Sequence, residues 1–92
     1  MLDATDEGLA WEHKVGFTRR RGIVPWELVL ACRADLEVSG RGAMCVVTFE
    51  VLPDHELVEL RCSAKGRTAT RAHTLVDDVA VRLPGDLLDV RW

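Results

Sequence analysis

The segment from residue 26 to residue 38, WELVLACRADLEV, carries the clearest periodic pattern of the chain. All of its even positions are apolar, whereas four of its six odd positions are charged. Alternation with a period of two is typical of a β-strand that buries one face. A helix beginning at Pro25 is the alternative, but its apolar stripe would run into Arg33 and Glu37. We therefore predict a strand with a bend, a bulge or a helical first turn, because the segment is long for one strand.

A second alternating run lies just beyond a turn signal. The sequence Ser-Gly-Arg-Gly at 39–42 contains two glycines, which accept a positive φ and are typical of a tight turn. Residues 43–52 then alternate, and every odd position among them is apolar. Met44 and Val46 make the opposite face apolar as well, so we expect this strand to be central or covered on both sides.

The rest of the sequence consists of shorter alternating runs between turn signals such as Pro53 and the Lys65-Gly66 pair. We interpret Lys65-Gly66 as the turn of a tight hairpin. These runs predict further strands at 13–19, 57–64, 67–75, 79–83 and 88–92. Arg19-Arg20-Arg21-Gly22 is expected to form a charged loop after the first of them. The fold class that follows is mainly β: a small antiparallel sandwich or barrel of six to seven short strands, which allows one short N-terminal helical turn.

The first twelve residues differ in composition from the rest of the chain. They contain four acidic residues and no Lys or Arg. Terminal segments of this kind are mobile unless apolar side chains anchor them. We therefore predict that residues 1–12 form a flexible acidic leader and that residues 13–92 form a single β domain.

The length, charge and cysteine content limit the classes of function. With 92 residues and 10.3 kDa, the chain is too short for a multidomain enzyme. A formal net charge of −3 excludes an overall cationic surface for nucleic acid or membrane. Three cysteines without a Cys-x-x-Cys pair are typical of reduced core residues. Because we find neither a signal peptide nor an apolar run of about 18 residues, we expect a cytoplasmic protein with no membrane partner.

The residues that commonly carry catalysis or bind metals do not form a recognisable site. His13, His55 and His73 lack the spacing of zinc ligands, and no phosphate-binding glycine motif or nucleophile motif occurs. Cys62 and His73 lie too far apart on the predicted strands to act as a nucleophile and its base. We therefore expect no enzymatic activity, no cofactor and no metal site.

Basic residues cluster in two segments of an otherwise acidic chain. The first segment is Arg19, Arg20 and Arg21, and the second consists of Arg61, Lys65, Arg67 and Arg71. Arginine binds two phosphate oxygens at once, so both segments together suit a small barrel that binds nucleic acid or a phosphate-bearing nucleotide. The alternative is that the arginines bind carboxylates within the fold or across a protein interface.

The pattern as a whole favours a non-catalytic protein-interaction or assembly module, which binds itself or a larger partner protein. Under this interpretation Met44 and Val46 supply apolar contact from the outer face of residues 43–52. Arg19, Arg20 and Arg21 supply charge complementarity. The second basic segment belongs to the alternative function, in which the domain binds nucleic acid or a nucleotide.

Overall fold

The computed structural model describes all 92 residues as seven strands, one α-helix and two single 3-10 turns. The strands are β1 (Leu2–Ala4), β2 (Gly8–Val15), β3 (Thr18–Pro25), β4 (Val29–Ser39), β5 (Gly42–Val51), β6 (Glu56–Ser63) and β7 (Leu88–Val90). The helix is α1 (Gly66–Ala80), and the 3-10 turns are Trp26–Leu28 and Gly85–Leu87. The prediction of a mainly-β domain with six to seven short strands is confirmed.

The strands form two sheets. Three strands pair antiparallel in the order β1-β2-β3, and four strands pair in the order β6-β5-β4-β7. In the second sheet β7 runs parallel to β4, whereas the other pairs are antiparallel. Parallel strands need a crossover connection, and α1 supplies it by carrying the chain from β6 to β7. Consecutive strands therefore pair antiparallel within β1-β2-β3 and from β4 to β6, and this pattern ends at the crossover to β7.

The segment with the clearest alternation forms β4, preceded by a 3-10 turn over Trp26–Leu28. A register shift between Val29 and Ala31 bulges the strand against β5. Val29 and Cys32 are buried on either side of this irregularity, while Leu30 is partly exposed. Both the helical first turn and the bulge expected from the length of the segment are present.

The sequence between residues 66 and 80 forms α1, so the strands predicted at 67–75 and 79–83 are wrong. Ala72, Leu75, Val76 and Val79 are the buried residues of the helix, and their spacing is that of one helical face. The expected Lys65-Gly66 hairpin is also wrong, because Gly66 is the first residue of α1.

Residues 1–12 are part of the folded domain. Leu2 of β1 is 6% exposed, and Leu9 of β2 is completely buried in the core. The domain boundary predicted after residue 12 therefore falls inside β2. Two buried leucines give this segment the apolar anchors that a separate leader lacks.

Residues 13–19 form two strands that meet at a turn, so the single strand predicted there is wrong. Val15 pairs with Thr18, which leaves Gly16 and Phe17 as a two-residue hairpin loop. Gly16 has a φ of +60°, which suits glycine as the first central residue of a type II′ turn. The three consecutive arginines accordingly lie in β3 rather than in a loop.

The core lies between α1 and one face of the four-stranded sheet, which we call the inner face. Cys45, Val47 and Phe49 of β5 are buried there, on the face that the alternation assigned to the interior. The opposite face of the same sheet, called the outer face, has no helix over it. Its residues therefore form a surface in the single chain.

Candidate protein-interaction surface

The hairpin of β2 and β3 extends beyond β1 as an arm, defined here as residues 13–21. Pairing of β1 ends where Leu2 lies opposite Trp11, so the arm is held only by its own two strands. Every residue of the arm is exposed. At about 3.3 Å per residue, the arm reaches about 13 Å from Glu12 to its turn.

The turn of the arm presents an aromatic side chain to solvent. Phe17 is fully exposed, and neighbouring Val15 is 58% exposed. No atom lies within 4 Å of the position where a side chain on Gly16 would begin, so the turn stands free of the domain. A fully exposed phenylalanine contributes no burial to the fold and is available to a partner.

The arm carries cations on both faces and no carboxylate. Cross-strand pairing places Lys14 opposite Arg19 on one face, and Arg20 opposite His13 on the other. Arg21 shares the face of Lys14 and Arg19 because alternate residues of a strand point the same way. One ion pair involves the arm: Arg19 lies 3.6 Å from Glu12 at its base.

The base of the arm is fixed by an aromatic contact. Trp11 pairs across the strands with Gly22, and a side-chain carbon placed on Gly22 would meet the indole at 2.8 Å. The indole therefore occupies the space above the glycine, as aromatic residues do over glycines in sheets. This packing holds the two strands together where the arm leaves the domain.

A second set of contacts joins the three-stranded sheet to the end of α1. The indole Nε1 of Trp26 donates a hydrogen bond of 2.8 Å to the Thr5 carbonyl. Arg82 lies over the Trp26 ring at 5.9 Å and donates to the carboxylate of Asp6 at 2.8 Å. These contacts position the sheet from which the arm extends.

The outer face of the four-stranded sheet is a charged, shallow hollow of about 510 Å³. Its charged side chains are Asp35, Glu37, Glu50, Glu59, Arg33 and Arg61. Four carboxylates and two guanidinium groups leave this face with a net negative charge. The carboxylate side chains keep between 32% and 55% of their surface exposed.

Met44 and Val46, which the sequence analysis predicted to make apolar contacts with a partner, expose little surface. Val46 is only 7% exposed, and Met44 is half-buried. Arg61 explains this, because it extends from β6 across β5 to bind Glu37 on β4. Its aliphatic stem therefore passes over the central strand at the level of Val46. Leu57, which is 66% exposed, is the apolar residue that this face presents to solvent.

Another exposed apolar group lies where α1 no longer covers the inner face. Leu36 and Val38 of β4 are 45% and 74% exposed, and Val90 of β7 is 45% exposed. The alternation predicted that Leu36 and Val38 lie on a buried face, but both are exposed, because alternation carries no information about where a covering helix ends.

The four residues of the second basic segment do not converge. Arg61 lies on the outer face, where Glu37 and Glu59 bind it and raise the pKa of its guanidinium. Lys65 and Arg67 are exposed at the start of α1. Arg71 lies on the helix, on the other side of the sheet from Arg61, with its guanidinium 3.5 Å from the Met1 sulfur.

The side chains of Cys62, His73 and His55 each contact a different partner. The Cys62 thiol donates to the Thr68 carbonyl at 3.3 Å, and burial and the nearby Cys45 raise its pKa. His73 packs against Trp92 with ring centres 4.5 Å apart, and His55 contacts Glu50 at 3.2 Å.

No group of three or more His, Cys, Asp and Glu side chains is placed to hold a metal ion. The single α-helix is neither long nor apolar enough to cross a membrane.

Comparisons with known proteins identified no relative of this chain. No family model matches the chain, and searches of curated proteins and of solved structures found no match.

Proposed function

We propose that this domain is a non-catalytic protein-interaction module and that the arm is its contact element. The observation that carries the proposal is the fully exposed Phe17 at the end of a cationic hairpin. Aromatic residues and arginine are the types most enriched among residues that dominate binding energy at protein interfaces. The partner surface that suits this arm is acidic, with an apolar depression for the phenylalanine.

The charge of the arm supports this choice of partner. Lys14, Arg20 and Arg21 have no carboxylate within ion-pair distance, and Arg19 has only the long contact to Glu12. Exposed ion pairs contribute little to folding, so these cations are not needed for the stability of the hairpin. Clustered unpaired charge instead accelerates association with an oppositely charged surface and selects against partners of the same charge.

Binding of nucleic acid through both basic segments remains the second candidate, because the arm combines arginine with an exposed aromatic side chain. The positions of the second segment weigh against it. Arg61 is already bound by two carboxylates, and the sheet separates it from Arg71. A phosphate ligand would have to displace Glu37 and Glu59 to reach Arg61.

The test is a titration of fluorescently labelled poly-glutamate peptide with the protein, followed by anisotropy. Reversal of the arm charges, R19E/R20E/R21E, is expected to abolish binding. Phe17→Ala should leave binding of this peptide nearly unchanged, because poly-glutamate offers no apolar surface. With leucine placed among the glutamates, the same substitution should weaken binding by about tenfold to hundredfold, because burying a phenylalanine contributes about 1.5–3 kcal/mol. Neither change should lower the unfolding temperature, since these side chains are exposed.

The matched control is R41E/K65E/R67E, which changes the net charge equally at three exposed positions outside the arm. This variant should bind the peptide as the wild type does. Equal loss of binding in both triple variants would contradict the proposal, since net charge alone would then explain the result. A single-stranded oligonucleotide of matched charge that binds more tightly than the peptide, and is weakened by the control variant, would establish the second candidate instead.

A further inference from the structure

We infer that the acidic surface bound by the arm is the outer face of a second copy of this chain. This inference rests on the proposed function of the arm and names its partner. The chain carries both halves of the contact: a cationic hairpin with an apolar end, and a negatively charged sheet face with an exposed leucine. No ion pair joins the two halves within one chain, although His13 at the base of the arm lines a cavity of about 430 Å³ together with Leu57 and Glu59.

The dimensions of the two surfaces agree. From Met44 to Glu50, β5 is about 20 Å long, and three strands at a spacing of about 4.8 Å span about 10 Å. The arm is about 13 Å long and two strands wide, so it fits within the outer face. The hollow of about 510 Å³ on that face accepts side chains from the arm.

The charges are complementary along this contact. One face of the arm contributes Lys14, Arg19 and Arg21 without an acid. The outer face contributes four carboxylates against two arginines, and each carboxylate is partly exposed. Glu50 has only His55 within ion-pair distance, at 3.2 Å, and no Lys or Arg partner.

The apolar parts of the two surfaces also match. Leu57 is 66% exposed at the margin of the hollow, beside Glu50 in the strand register. When the arginines contact Glu50 and Glu59, the phenylalanine at the end of the arm can pack on Leu57. Because the arm and the face are different surfaces, two copies either exchange arms around a twofold axis, which gives a closed isologous dimer, or associate head to tail through heterologous contacts.

The test uses two charge-reversed variants, each unable to associate with itself. R19E/R20E/R21E has an acidic arm and an acidic face, while E37K/E50K/E59K has a basic arm and a basic face. Light scattering after size exclusion should give a mass above 10.3 kDa for the wild type and 10.3 kDa for each variant alone. An equimolar mixture of the two variants should regain the larger mass, because each arm again meets a face of opposite charge.

The effect of net charge on association needs its own control. D77K/D78K/D86K has the same net charge as the face variant, but its substitutions are at exposed sites on α1 and in the 3-10 turn before β7. Because this variant keeps the arm and the outer face, it should associate as the wild type does, whereas the face variant alone should give 10.3 kDa. If E37K/E50K/E59K unfolds because Arg61 loses both partners, E50K/E59K with Glu37 retained replaces it in the same mixture.

Two results would overturn the inference: a mixture of the complementary variants that stays monomeric, or a surface control that is monomeric like the face variant. The poly-glutamate titration separates these failures from failure of the proposed function. If the arm still binds the peptide while the mixture stays monomeric, the arm binds another protein and only this inference is wrong. If peptide binding is also independent of the arm, the proposed function is wrong as well.

Discussion

At the scale of single residues, Cys32 shows how strongly the fold changes a side chain's chemistry. The thiol is 1% exposed within the core, and burial raises its pKa from 9.0 to about 12. A buried thiolate has neither water nor a cation to stabilise its charge, so the protonated form persists in the folded state. Cys32 therefore acts as a small apolar core residue, as expected for a reduced cysteine in an alternating strand.

The raised pKa predicts a specific dependence of stability on pH. Below about pH 8 the Cys32 thiol is protonated in both folded and unfolded chains and has no effect. Between pH 9 and about 12 the unfolded chain ionises first, so the free energy of unfolding falls with rising pH. The slope is about 1.4 kcal/mol per pH unit for one thiol.

Urea unfolding of wild type and Cys32→Ala at several pH values, under reducing conditions, measures this effect. The difference in stability between the two proteins should shrink or change sign as the pH rises above 9. Because the chain contains no tyrosine, no phenol titrates in the same range. Parallel curves for the two proteins across this range would contradict the account of the buried thiol.

The position of Phe17 could not be predicted from the alternation of residues. Alternation placed Phe17 on the same side of a continuous strand as His13 and Val15, because residues two apart in a strand point the same way. The two-residue turn breaks that regularity and leaves Phe17 at the end of the arm. The Gly-Phe pair at 16–17 is the signal for this turn, since glycine suits the first central position of a type II′ turn.

At the scale of elements, long strands with one buried face were predictable, and the other elements were not. β4, β5 and β6 follow the alternation because the helix covers one face of their sheet and water the other. β1 has only three residues, which is too short for a period of two to be recognised. The threonines at 68, 70 and 74 favoured a strand in the sequence analysis. The segment instead forms α1, because its apolar residues have the spacing that buries one face of a helix.

The position of β2 in the core predicts the result of a core truncation near the start of the chain. Leu9 is completely buried, so Leu9→Ala should lower the free energy of unfolding by about 2–5 kcal/mol. This is a large part of the stability expected for a small domain. Chemical denaturation followed by tryptophan fluorescence measures the change.

Val15→Ala is the matched control for this truncation, because Val15 belongs to the same strand but is 58% exposed. It should change the free energy of unfolding by less than about 0.5 kcal/mol. Similar, small effects of both substitutions would show that residues 1–12 contribute little to the fold, as a flexible leader would.

At the scale of the whole molecule, the distribution of charge matters more than its total. A net charge of −3 combines an arm with only cations and a sheet face on which acids predominate. The sequence revealed the cluster of arginines, but it did not place the opposing acids on one surface. That surface exists because β4, β5 and β6 pair in a register that aligns their outward residues.

Exposed charges separated by more than about 8–10 Å are screened at physiological salt, so association through these two surfaces must weaken as salt rises. In the proposed interface, the exposed side chains of Phe17 and Leu57 add a contact that salt does not screen. The domain therefore carries a cationic arm on one sheet and a mainly acidic face on the other.

The most direct test of this account is the solution mass of the wild-type protein, measured by light scattering at physiological and at high salt beside R19E/R20E/R21E. The account predicts a mass of at least twice 10.3 kDa for the wild type at physiological salt. It predicts a shift toward 10.3 kDa at high salt and 10.3 kDa for the variant in both buffers. A wild-type mass of 10.3 kDa at every concentration and salt, or a larger mass that the arm reversal leaves unchanged, would contradict it.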